Sequence, residues 1–528
     1  MPSGAVPTPI ALDGKRGGIL QLSIRSAYAT SFDTFSAGGL SSMSAHAPLL
    51  NNLVWPDPYA TTRTLVGDTA ERWEFSGNGT LITFKLRKGI TFHDGHAFTS
   101  KDVAYNIDRA WHPRAPTMNQ HAGQLNALAK IETPDDFTVR LTMTRPSNFF
   151  FSAMTVTTFL MYPAHMPMPE FNDQWNQTGI GTGPFKMVSK SAERGIEMAR
   201  NPSYFKPGLP YLDGVRMNSI NDPSLVLASF RTGRLDATNI DSGGLTQQIV
   251  DGTLAREQGF VRVDSISGGT GLFIANKPPF SDVRVREALH LAMNRKEITD
   301  VAYQGLGVYQ ASPLISPELG GVWGIPASEL KTQPGFRDDK TEDLKTARAL
   351  LAQAGVDPSK VRLRILVSAA QQAQSSLGTV VDSSVRPLGF KDEIVVAEPA
   401  ERQKLRNDNE FEISVEPVSP SVDDPLDYLA RWVATDGAEN GKRWSNPTVD
   451  RLLADQDVEL DQAKRKQLIN QIQDNLLKER YFMVLVWRIF PVGYNGYVKN
   501  YPPKLPLLFD PRFREEQVWI DNSLRKRS

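Results

Sequence analysis

The chain has no cysteine among its 528 residues. Disulfides, thiolate metal ligands, a cysteine nucleophile and a lipidated N-terminal cysteine are therefore excluded for this sequence. An excess of charge of one sign is also missing: 59 Lys and Arg stand against 59 Asp and Glu. Nucleic-acid binders show a basic excess. The only basic cluster here is the tail Arg525-Lys526-Arg527, which reads as a solvated end. Long hydrophobic runs are absent too. The longest, Tyr481–Trp487, has seven residues, against the roughly 20 of a membrane-spanning helix, and it reads as a buried strand. The opening MPSGAVPTPIALDGKRGG lacks the apolar core of an export signal. Two expectations stay open: a cytosolic chain, or an exported one whose signal has been removed and replaced by a start Met.

Catalytic signatures are missing as well. There is no G-x-S-x-G elbow, no HExxH helix and no phosphate-binding GxxxxGK[ST]. Carboxylates are plentiful, but nothing singles out a glycosidase pair. The expectation is a protein without catalysis, cofactor or bound metal.

What is present is a mixed α/β pattern. At roughly 100–200 residues per domain, this length implies two or three domains. Gly17–Ser26, Leu81–Phe92 and Thr133–Pro146 alternate as strands do, the last entered through a Pro-Asp-Asp turn, and IEMARNPSYF gives a strand that breaks at Asn201-Pro202. Helical patterns cover Ser281–Thr299, Thr341–Ala354 and Asn446–Lys478. In the first of these, Val285, Ala288, Leu289 and Ala292 form one apolar face, and Gly355 reads as a helix stop after the second.

One stretch, TFHDGHAFTSKDV (Thr91–Val103), holds two of the seven histidines. HxxH alone is a weak metal signal, because a zinc site wants three or four ligands and paired histidines a helical turn apart. Asp94-Gly95 instead demands a turn between them. Thr99-Ser100-Lys101-Asp102 then fits a helix capping box. The stretch reads as strand, tight turn and capped helix.

The same residues carry a family likeness. FKLRKGITFHDGHAFTSKDVAYNIDRA resembles the signature of the extracellular solute-binding proteins, family 5, that serve peptide, nickel and opine ABC importers; His96 and Ser100 are mild departures. VGDTAERWEFSGNGTLITFKL, TGIGTGPFKM, RNPSYFKPGLPYLDGVRM, FRTGRLDA, FSDVRVREALHLAMNRKEI, LKTARALLAQAGV and RWSNPTVDRLL resemble further blocks in the family's order, with Asn294 where Asp is commoner. The resemblance implies an α/β, two-lobed periplasmic-binding-protein-like fold (type II, cluster C) with an inserted domain. Lobe one would take residues 1–50, 185–267 and 490–528, the inserted domain 51–184, and lobe two 268–489. Ligand would bind between the lobes, which close by hinge motion. FHDGH would lie in the inserted domain, away from the ligand.

The implied function is an importer's receptor for a peptide, opine or similar small organic solute. It would act as a monomer in the periplasm or outside the cell, deliver to a membrane ABC permease and bind no nucleic acid. Oligosaccharides, a nickel chelate (with His46 as its candidate ligand) and a cytosolic ligand sensor are the alternatives.

Candidate ligand-binding residues follow from the need for aromatic walls and a few convergent polar groups. Phe35, Gly39 and Ser41 lie in a small polar loop. Gly269 and Thr270 lie in the glycine-rich crossover SISGGTGLF. Peptide-binding members often place an aspartate four residues before an Asp-Pro proline, to pair with the ligand's amine. Here that place is Ser421, with Asp423 as a substitute of different geometry, which favours opines, blocked peptides or glycosides. Trp432, Trp444 and Trp487 are candidate walls. Arg443, Arg402 and Arg406 are candidate carboxylate clamps, because guanidinium pairs in a bidentate way.

Overall fold

The computed structural model describes residues 6–24, 45–60, 64–112, 125–155, 159–166, 177–237, 252, 256, 259–316, 323–369, 372–420, 422, 424–440, 443–502 and 514–525. The chain forms two compact units: Met1–Ser265 with Pro491–Ser528, and Ile266–Phe490.

The first unit contains β1 (Ile19–Ile24), β2 (Val54–Pro56), β3 (Leu65–Gly67), β4 (Ala70–Ser76), β5 (Leu81–Leu86), β6 (Leu128–Asp135), β7 (Thr138–Met143), β8 (Phe185–Ser191), β9 (Gly195–Arg200) and β10 (Gly214–Ser219). One sheet has the order β1-β10-β9-β8, and another the order β4-β5-β7-β6. β1 runs parallel to β10, with Ile19 opposite Gly214, while every pair of the second sheet is antiparallel. The period-two pattern decides which face is covered: Ile82, Phe84 and Leu86 of β5 and Val139, Leu141 and Met143 of β7 are buried.

Two expected strands come out shorter. Thr133–Pro146 is the end of β6 and all of β7, joined by a turn at the Pro134-Asp135-Asp136 entry that the sequence marks. Asp135 makes the turn, its carboxylate accepting from Phe137 N at 2.8 Å and Thr138 Oγ1 at 2.8 Å. Leu81–Phe92 stops as a strand at Leu86. Beyond Gly89, whose φ is +79°, Thr91 makes a single antiparallel bridge to Ala97. The helix Ser100–Trp111 has Thr99 as N-cap, and the reciprocal bond from Thr99 N to Asp102 Oδ2 is 2.8 Å.

A buried ionic hub joins distant parts of this unit. Asp68 Oδ2 lies 2.7 Å from Arg514 Nη1, and Lys206 Nζ sits 3.0 Å from Asp68 and 2.9 Å from Glu516. Burial pushes the Asp68 pKa up, but Arg514 and Lys206 outweigh it and hold the carboxyl below its ordinary value.

The second unit is built on β12 (Gly307–Val308), β13 (Arg362–Ser368), β14 (Lys391–Ala397) and β15 (Ile413–Val418), with β11 (Phe260–Ile274) from Ile266 onward and β16 (Phe482–Asn495) as far as Phe490. The sheet order is β12-β16-β11-β15-β13-β14. β13 is parallel to both β14 and β15, and β15 is antiparallel to β11. Leu363, Ile365 and Val367 pack with Ile413, Val415, Leu272 and Leu485 in one core. Tyr481–Trp487 is buried, as the apolar run implied.

The pattern Ser281–Thr299 resolves into two helices, Val283–Ala292 and Arg295–Tyr303. Met293 leaves helical geometry with ψ 117°, and Asn294 caps the second helix by accepting from Glu297 N. Val285, Ala288, Leu289 and Ala292 all face the core. Asn446–Lys478 likewise divides into Pro447–Val458 and Gln462–Glu479, the latter capped by Asp461. Thr341–Gln353 is a single helix, ended near Gly355 with φ +70°. A last pair, β17 (Val498–Lys499) and β18 (Trp519–Ile520), returns to the first unit.

Candidate functional site

Phe35, Gly39, Ser41, Ser421 and Asp423 lie outside the described residues. The remaining candidates all belong to the second unit. Gly269 and Thr270 sit on β11 opposite Val418 and Pro417 of β15. A Cβ at Gly269 would meet the Val486 carbonyl, so only glycine lets β11 approach β16 this closely. Thr270 is buried, its hydroxyl bonded to that of Tyr303.

The three tryptophans are packed. Trp432 stacks on Phe482 with centroids 5.0 Å apart and 14° between planes. Tyr428 lies 5.9 Å from both Phe482 and Trp487, which makes one four-ring cluster. Trp487 Nε1–H donates to Ser312 O at 2.8 Å. Trp444 lies against Tyr481 at 5.9 Å, its backbone held by Asn440 on both sides. None of these tryptophans exceeds 4 % exposure, so each is packed within the unit.

The arginines are committed to the protein's own acceptors. Glu416, buried on β15, is paired with Arg402 and with Arg406 Nε at 3.1 Å. Arg406 Nη1 reaches Glu439 at 3.1 Å. Arg443 donates to the carbonyls of Arg406 and Glu439. Burial, with Arg406 beside it, lowers the Arg443 pKa to about 10.

The carboxylates of the same region are also matched. Asp424 caps the helix Pro425–Val433 and takes Arg465 Nη2 at 2.7 and 2.8 Å. Asp427 pairs with Arg431 at 3.4 Å. Neither Arg465 nor Arg431 was flagged by the sequence, because nothing local marks a charge as someone's partner across the fold. Tyr303 and Arg488 were missed too. The Arg488 guanidinium sits 5.5 Å over the Tyr303 ring, and burial lowers its pKa. The sequence signal available was a lone arginine ending an apolar run.

In the first unit, His46 is fully buried just before the turn Ala47–Leu49. His93 Nδ1 accepts from Gly181 N at 3.2 Å, and its Nε2 lies 3.1 Å from Gly183 O. Burial lowers its pKa to about 4, the hydrogen bond to Gly183 opposing and Lys186 assisting. The ring is therefore neutral near pH 7, and it fastens the Asp94-Gly95 turn to the TGIGTGPF turn.

Three comparisons bear on this arrangement. The model of the bacterial extracellular solute-binding proteins, family 5, matches residues 64–440. A Brucella abortus protein named as an ABC transporter peptide-binding protein is 31% identical over 304 residues, 56% of this chain and 52% of that one. The match thus spans about half the length of that relative. Heme-binding protein A of Haemophilus influenzae is 25% identical over 436 residues, covering 76% of this chain and 75% of its own. The structure of the binding protein AgaA with agropinic acid, from A. tumefaciens R10, superposes with a TM-score of 0.73. It is 23% identical and covers 96% of this chain and 99% of its own, which is a shared fold. No helix among the described residues is long and apolar enough to cross a membrane.

Proposed function

This chain belongs to the bacterial extracellular solute-binding proteins of family 5, and we propose that it is the substrate-binding receptor of an ABC importer for a peptide- or opine-like solute. The family match over residues 64–440 is the observation that carries the reading. The receptor works outside the cytoplasm as a monomer, performs no chemistry and hands its solute to a membrane permease. The division into lobe one (1–50, 185–267, 490–528), inserted domain (51–184) and lobe two (268–489) belongs to the same proposal.

The choice among ligands follows from the charges of lobe two. Among the described residues from 416 to 440, Glu416, Asp424, Asp427 and Glu439 are each paired with an arginine of the same unit. A ligand amine that paired with one of these four carboxylates would have to displace its arginine. Leaving a buried charge unpaired costs several kcal/mol, of order 3–5. With serine at position 421, a solute that does not depend on a free α-amine fits better: an opine or a blocked peptide.

A thermal-shift panel on refolded, ligand-stripped protein tests this. It holds opines, free and N-acetylated short peptides, oligosaccharides, heme and nickel with histidine. A solute at 100 times its dissociation constant stabilises the fold by about 2.7 kcal/mol. Opines or blocked peptides are expected to raise the melting temperature where free dipeptides do not. A shift with free dipeptides alone overturns the ligand choice, and no shift with any member in folded protein overturns the receptor reading.

A further inference from the structure

Asp94, His96 and His165, all in the first unit, bring one donor atom each within 4.8 Å of one another. Asp94 Oδ2 is the shared point: His165 Nε2 lies 2.8 Å from it and His96 Nδ1 3.2 Å. The two imidazoles stack with centroids 3.9 Å apart and 23° between planes, so one ring has to turn about its side-chain bonds for both in-plane lone pairs to reach one ion. Around a tetrahedral ion with bonds of roughly 2.0–2.1 Å, neighbouring donors lie about 3.3 Å apart. The two measured separations are already near that value. We propose that Asp94, His96 and His165 form an exchangeable surface site for a divalent late first-row transition ion such as Zn²⁺, Ni²⁺ or Cu²⁺.

The three donors come from two segments, and both are fixed without the ion. The turn that carries Asp94 and His96 is closed by Gly95 N to Phe92 O at 2.9 Å and Phe92 N to His96 O at 2.8 Å. Asp94 Oδ1 accepts from His96 N at 3.2 Å, which turns Oδ2 toward the imidazoles. The segment carrying His165 is clamped to the helix Ser100–Trp111. Ala164 N donates to Asp102 Oδ1 at 2.9 Å, and Tyr162 exchanges bonds with the Asn106 amide at 2.7 and 3.1 Å. Phe92 meets the His165 ring edge-on at 5.4 Å. The backbone that carries the three donors is held without the ion, so binding asks for the turn of an imidazole and no folding of either segment.

The donor set names the ion class. Two imidazoles and one carboxylate, with no thiolate in the chain, suit Zn²⁺, Ni²⁺ and Cu²⁺ rather than Ca²⁺ or Mg²⁺. Asp94 and His165 side chains are 23% and 26% exposed, so solvent can reach the ion and supply the remaining ligands. His93, three residues before His96, is not a member, since both its ring nitrogens face backbone groups.

The test is calorimetric titration of ZnCl₂ and NiCl₂ into untagged, metal-free full-length protein, without any chelating solute. Wild type, His96→Ala, His165→Ala and His112→Ala are compared, with circular dichroism to confirm folding. His112 is an exposed histidine beside Asp108 and serves as background. One equivalent of metal is expected to bind wild type and His112→Ala alike. Affinity should fall at least tenfold in His96→Ala and His165→Ala, as loss of one ligand in three requires. Co²⁺ absorption bands of a nitrogen-and-oxygen site should disappear in the same two variants. Absence of stoichiometric binding to wild type, or wild-type affinity in both variants, overturns the proposal. The site is independent of the solute reading: neither variant should alter a thermal shift caused by an organic solute.

Discussion

His93 offers a quantitative check, because its imidazole is partly buried and neutral near pH 7 and makes two backbone contacts. Its pKa in the folded protein is lowered to about 4 from an ordinary 6.5, by burial first. Between those values the open segment binds a proton that the closed one does not. Stability therefore falls as the pH drops below about 6.5, and the full loss is reached below about 4. From pH 8 to pH 5 the penalty is about 2 kcal/mol, or about 30-fold in the opening equilibrium, at 1.36 kcal/mol per pKa unit. Hydrogen exchange read by mass spectrometry on peptides spanning 90–98 and 179–187, corrected for intrinsic rates, measures that equilibrium. Wild type should lose about 30-fold in protection over this interval relative to His93→Gln, which keeps a donor toward Gly183 but cannot titrate. Parallel pH profiles for the two proteins would refute the assignment of a partly buried, neutral imidazole.

Other expectations concern the second unit and the strand turns. Arg465→Ala strands the Asp424 carboxylate at 2 % side-chain exposure. It should cost about 3–5 kcal/mol in urea unfolding, while a loss under 1 kcal/mol would mean the pair is dispensable. Trp432→Ala removes a ring stacked on Phe482 and should cost about 3–5 kcal/mol while leaving the solute-induced thermal shift in place. A fully stable variant that no longer responds to solute would show that the ring serves the ligand instead. Gly195 has φ +89°, and a Cβ there would run into the Met217 carbonyl. Gly195→Ala should lower stability by more than about 1 kcal/mol, and an unchanged melting temperature would argue against this backbone.

Signals confined to a few consecutive residues were readable in the sequence. The capping box at Thr99 and Asp102, the alternation of β5 and the stop at Gly355 each depend on neighbours within four positions, and each is realised. Helical interruptions were harder. Met293-Asn294 and Glu459–Asp461 keep acceptable helix composition, and only the competing cap of Asn294 or Asp461 breaks the run. The Pro134-Asp135-Asp136 turn was legible as the entry to β7, whereas the strand before it, β6, was not expected. Partners far apart in the chain left no trace. Asp424 finds Arg465 and Asp68 finds Arg514 only because the fold puts them together. The tryptophans were ambiguous for a different reason, since an indole suits a ligand wall or a core equally well by composition. The ring-to-ring distances around Phe482 show the packing of Trp432 and Trp487, which no local pattern in the sequence marks.

The FHDGH stretch shows why spacing alone misjudges metal sites in both directions. His93 and His96 are three residues apart, yet the turn at Gly95, with φ +94°, separates their surroundings. One ring enters the interior toward Gly181 and Gly183; the other faces solvent beside Asp94 and meets His165 from a distant segment. The two histidines should therefore come apart experimentally. His93→Gln should remove the pH-dependent protection near residues 179–187 and leave zinc affinity unchanged. His96→Ala should lower zinc affinity at least tenfold and leave that protection at the wild-type level. If either substitution moved both readouts together, the turn would be acting as one unit, and the separation of a structural histidine from a ligating one would be wrong.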